Sequence, residues 1–146
     1  MASYTHALLT WSNALEVLST WIPSFSSISR PDQLSFDSVA AIMSAMPEGM
    51  QAVEANYPLD SDLTFINGAM LSPPREVIVI PDCGMVSCRP FRLPSSDLKR
   101  FIDGFERENG VWRVGLLDGA SDILFVFDTG DMLLIDHDER VWFAGT

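Results

Sequence analysis

Positive charge is scarce: nine Lys and Arg stand against 20 Asp and Glu in 146 residues, a formal net charge of −11. Phosphate backbones and anionic lipid surfaces are bound through a cationic footprint, so unassisted binding to nucleic acid or to a membrane surface is not expected. Long apolar runs are missing too, and without 18 or more consecutive apolar residues no membrane-spanning helix is expected. Residues Met1 to His6 carry no basic cluster, and the apolar positions after them are interrupted by Ser12, Asn13, Glu16, Ser19 and Thr20. That is unlike a secretory leader, and the expectation is a cytoplasmic protein. Cysteine and histidine number two each. Cys83 and Cys88 are spaced so that a disulfide, half a zinc site or two reduced thiols all remain open, and a reducing compartment favours the thiols. A zinc site needs four ligands, and only His6 and His137 supply imidazole, so neither a metal nor another cofactor is expected. None of G-x-x-x-x-G-K-[ST], G-x-G-x-x-G, G-x-S-x-G or H-E-x-x-H occurs. No catalytic residue is assigned, and an enzyme is not expected.

What is present is enough to fold. Apolar residues make up 47% of the chain and mean hydropathy is +0.17, too high for a disordered acidic tail. At this length a single domain spanning residues 1–146 is expected, burying roughly two thirds of its unfolded surface.

The first half reads as helical. Leu8, Trp11, Leu15, Leu18 and Ile22 recur at steps of three and four, which predicts a helix over Ala2 to Trp21 with Ser3 as N-cap and Pro23 as its stop. A second helix is expected from Phe36 to Met46, with Asp37 favourably placed in its first turn, and a short one from Met50 to Tyr57. The period then changes. Leu63 to Ile66 and Val77 to Ile80 are short apolar runs rich in β-branching, which predicts strands buried on both faces. Pro81-Asp82-Cys83-Gly84 carries turn chemistry, so Arg75 to Ile80 and Met85 to Arg89 are expected to form a hairpin. Ser95 to Glu108 follows as a helix. Ser95 or Ser96 caps it, Leu98, Phe101, Ile102 and Phe105 line one face, Asp103 and Arg107 form an i,i+4 pair, and Asn109-Gly110 ends it.

Four further strands are expected at Val111 to Leu117, Ile123 to Phe127, Met132 to Ile135 and Val141 to Ala144, joined by acidic turns. Connections this short make neighbours antiparallel. The fold class is α+β, with N-terminal helices and one central helix packed on one face of a mainly antiparallel sheet of about five to seven strands.

The charge is not spread evenly. Residues 1–74 carry 7 acids and 1 base (−6), residues 75–113 carry 6 acids and 7 bases (+1), and residues 114–146 carry 7 acids and 1 base (−6). The middle segment is expected to pair internally. In the last segment the acids fall in the turns, and alternate turns of a meander share one end of a sheet. Asp118 and Asp122 should therefore share an edge with Asp136, Asp138 and Glu139, opposite Asp128 and Asp131. Such acids act either as solvated turn formers or as an edge that steers and complements a cationic protein partner.

Asp136-His137-Asp138-Glu139 places an imidazole among carboxylates, which invites acid/base chemistry or metal binding. Sequential turn residues diverge, however, whereas catalysis needs groups converging on one atom. His137 joins Asp118, Asp122, Asp136, Asp138 and Glu139 as a candidate partner-binding residue. Trp142 completes the set as an anchor beside the acidic turn, since tryptophan is a frequent interface hot spot; its other role is core packing.

The stretch Asp122-Ile-Leu-Phe-Val-Phe-Asp-Thr-Gly-Asp-Met-Leu-Leu-Ile-Asp-His-Asp-Glu-Arg-Val-Trp-Phe-Ala-Gly145 is similar to the strand–turn–strand endings of small acidic bacterial immunity proteins. These proteins neutralise polymorphic or contact-dependent toxins, and the SUKH group is among them. The resemblance covers about the last quarter of the chain, which departs from the SUKH pattern in lacking a leading Leu-Pro helix. It implies a cytosolic, non-catalytic inhibitor of a cognate toxin, often a basic nuclease. The chain also resembles the acidic chaperones of type III secretion effectors, although these usually end in a helix and this chain ends in a strand. A small metal-dependent hydrolase using His137 is the third reading.

Overall fold

A computed structural model of the chain describes residues 8–23, 25, 50–54, 59, 62–63, 66, 69–81, 90–108, 123–135 and 140–145. The elements are α1 (Trp11–Trp21), β1 (Gln51–Val53), β2 (Glu76–Pro81), β3 (Phe91–Pro94), a 3-10 turn (Ser95–Asp97), α2 (Leu98–Glu108), β4 (Ile123–Phe127), β5 (Met132–Ile135) and β6 (Val141–Ala144). The six strands form one sheet in the order β1-β6-β5-β4-β2-β3, antiparallel at every pairing. The α+β class and the expected strand number are as the sequence implies.

The sheet is covered on both faces, and the alternation of the strands sorts their side chains between two cores. Val77, Val79, Ile123, Phe125, Phe127, Leu133, Ile135, Val141 and Phe143 join Leu98, Phe101 and Ile102 of α2 in one cluster. Ile78, Ile80, Leu124, Val126, Met132 and Leu134 join Leu15 and Leu18 of α1 in the other. The expectation that all helices share one face is therefore corrected: α1 and α2 lie on opposite sides. The reason is already visible in β4 and β5, where every residue is buried. A strand apolar at each position needs cover on both sides.

α1 begins later than its apolar spacing suggests. Thr10, in extended conformation, accepts a hydrogen bond from the Asn13 amide at 3.2 Å and is the N-cap. Leu8 and Leu9 precede the helix as extended chain: Leu8 bridges Phe91, and the Leu9 amide donates to the Pro90 carbonyl at 2.9 Å. Their backbone groups thus serve the outer edge of β3, a demand that outweighs helical continuation. Ser3 is not the cap. Past the last turn, the Ile22 amide closes on the Leu18 carbonyl at 2.7 Å, and Pro23 cannot extend the ladder.

Elsewhere the chain departs from expectation in three ways. Residues 51–53 form β1 rather than helix, because the outer edge of β6 takes them as an antiparallel partner. Leu63 and Ile66 are not in a strand: Leu63 has φ 55°, and the Ile66 amide donates to its carbonyl in a tight turn. β2 pairs with a return strand at Phe91–Pro94, and the stretch 85–89 expected to pair with it lies outside the described residues. So do the proposed helix at 36–46 and the proposed strand at 111–117. The flank of β4 that a four-stranded meander reserves for 111–117 is held by β2, with Val79 opposite Phe125, so the meander described here has three strands.

β4 and β5 are joined by the four residues 128–131, in a tight hairpin closed between Phe127 and Asp131. The Gly130 amide donates to the Phe127 carbonyl and the Phe127 amide to the Asp131 carbonyl, each at 2.9 Å, with Gly130 at φ 89°. A turn followed by a left-handed residue suits this hairpin length, and glycine adopts that conformation without a Cβ penalty. Before α2, the Ser95 hydroxyl donates to the Pro74 carbonyl at 2.6 Å and the Leu98 amide to the Ser95 carbonyl. Helix entry is tied in this way to the segment that leads into β2. Phe101 is held against Phe91 of β3, their ring centroids 5.0 Å apart.

Candidate functional site

Of the residues singled out for partner binding, Trp142 falls within the described structure. It sits in β6 between Leu134 of β5 and Ala52 of β1. Its side chain is half-buried and packs against the α1-side core, so part of the ring belongs to the fold and part reaches solvent. The guanidinium carbon of exposed Arg140 lies 5.8 Å from the ring centroid, within reach of a cation–π contact. Of the two roles weighed for Trp142, core packing is the one these contacts show.

Asp118, Asp122, Asp136, His137, Asp138 and Glu139 lie outside the described residues, as do His6, Cys83 and Cys88. The strand ends that adjoin several of them are described. Ile123 opposes Ile135, and Ile135 opposes Val141, so these three residues stand side by side at one end of the sheet. Asp122 directly precedes Ile123, Asp136 directly follows Ile135, and residues 136–139 connect β5 to Arg140.

At the opposite end, Asp128 and Asp131 carry the structural work expected of turn acids. An Asp128 carboxylate oxygen accepts from the Arg75 amide at 2.9 Å, tying the hairpin loop to the start of β2. Asp131 is 4% exposed, and its carboxylate accepts from the Thr129 hydroxyl at 2.6 Å. Burying a carboxylate is tolerable only with such hydrogen bonds. Both acids are committed to the fold.

Three bases of the middle segment, Arg92, Lys99 and Arg100, are paired locally. Arg92 grips Glu76 with two contacts, of 3.0 and 3.1 Å. Lys99 meets Asp103 at 3.1 Å and Arg100 approaches Asp97 at 3.9 Å. Asp103 thus bonds Lys99, one turn earlier, since residues at i±4 are neighbours on a helix; the side chain of Arg107, its expected partner, lies outside the described residues. These pairs are solvent-exposed and contribute little stability, but they cancel charge where the chain has its cations.

Among the described residues no group of three or more His, Cys, Asp or Glu is placed to hold a metal ion. One hollow was not foreseen: a cleft of about 350 Å³ lined by Leu63, Ile66, Met70, Leu98 and Phe127, with Lys99 at its rim. Nothing in the sequence pattern announced it, since its wall includes the turn at residues 63–66 that reads as a strand. No helix of the described structure is long and apolar enough to cross a membrane. No protein-family model, no curated protein and no solved structure matches the chain.

Proposed function

We propose that the chain is a non-catalytic acidic binding protein of the cytoplasm, an immunity or inhibitor protein that neutralises a cognate cationic toxin such as a basic nuclease. The observation that carries this reading is the division of charge. Bases concentrate in residues 75–113, where Arg92, Lys99 and Arg100 are held by acids of the same segment. The excess of six negative charges in residues 114–146 is left without such compensation nearby in sequence, and two of its acids, Asp128 and Asp131, serve the fold. Asp118, Asp122, Asp136, Asp138 and Glu139 remain as the partner-binding acids of this reading, with His137 among them and Trp142 as the anchor. Like charges gathered in one region repel one another, and a cationic partner converts that cost into steering and complementarity.

The partner is to be captured from the native source with the intact chain as bait, and its association rate followed against ionic strength. Exchanging Asp136→Asn, Asp138→Asn and Glu139→Gln together lowers the low-salt association rate by about tenfold and flattens its salt dependence. An unchanged rate and slope sinks the proposal. Capture of a secretion effector by a dimeric form of the chain would support a secretion-type chaperone instead, and a monomer at micromolar concentration counts against that reading. A metal-dependent hydrolase requires calorimetric metal binding that His137→Ala abolishes.

A further inference from the structure

We draw no further inference here: the strongest candidate, the apolar cleft of about 350 Å³ between residues 62–74 and the turn into α2 at residues 95–99, carries nothing because the structure does not show what occupies or covers it.

Discussion

Leu18→Ala tests whether α1 is part of the core or merely lies beside it. Leu18 is 0% exposed and packs with Leu15, Ile78, Ile80, Leu124 and Val126 on the α1 side of the sheet. Removing three buried carbons forfeits about 2.4 kcal/mol of transfer free energy, and the cavity left behind raises the loss to about 3–4 kcal/mol. Against a domain stability of about 5–15 kcal/mol this is a large fraction. With a urea dependence of about 2 kcal/mol per molar, the unfolding midpoint falls by about 1.5–2 M. Urea titration followed by tryptophan fluorescence and far-UV circular dichroism reads the shift. Glu16→Ala, on the exposed side of the same helix, is the control and moves stability by no more than about 0.5 kcal/mol. A solvated α1 behaves differently: alanine is the better helix former, so the exchange would be neutral or slightly stabilising. A loss below about 1 kcal/mol for Leu18→Ala, with the urea slope unchanged, would refute the two-faced core.

Three smaller perturbations probe the local arguments. Thr10→Ala removes the side-chain acceptor of the Asn13 amide and lowers stability by about 1 kcal/mol, measured by thermal or urea unfolding. Gly130→Ala forces a Cβ into a residue at φ 89° and lowers stability by about 1–2 kcal/mol; no loss in urea unfolding would show that the hairpin loop does not require the left-handed conformation. Glu76→Gln removes the carboxylate charge and one of the two acceptors for Arg92, yet both side chains are about 40% exposed. Solvent screening holds the loss below about 1 kcal/mol, and a larger one would mean that the pair is desolvated.

The strands and α2 were legible where their periods are strong. Ile123 to Phe127, Met132 to Ile135 and Val141 to Ala144 are strands at the residues their apolar runs mark. Leu98, Phe101 and Ile102 bury the face that their spacing defines. Residues 51–53 gave no such signal. Gln-Ala-Val has neither alternation nor length, and it is a strand because β6 offers an edge to pair with. The reverse holds at Leu63 and Ile66, whose neighbourhood is rich in strand-forming residues but which lie in a turn with Leu63 at positive φ. β-propensity describes fitness for a pleated, half-buried surface, and it acts only where a neighbouring strand supplies that surface. Among the candidate binding residues, the dual position of Trp142 was not readable from composition. Half-burial depends on where β6 lies in the sheet and on how far α1 extends over it.

The amino-acid sequence by itself determined the acidic balance and its partition, the α+β class, and the positions of the three apolar strands at 123–127, 132–135 and 141–144. These are local properties, set by neighbouring residues and by backbone geometry. The tertiary structure decided the rest. Insertion of β2 between β3 and β4, placement of the two helices on opposite faces, and commitment of Asp128 to the Arg75 amide rather than to an open rim depend on contacts between residues far apart in the chain. Hydrophobic periodicity states that a face must be covered. Which segment covers it depends on how the whole chain packs.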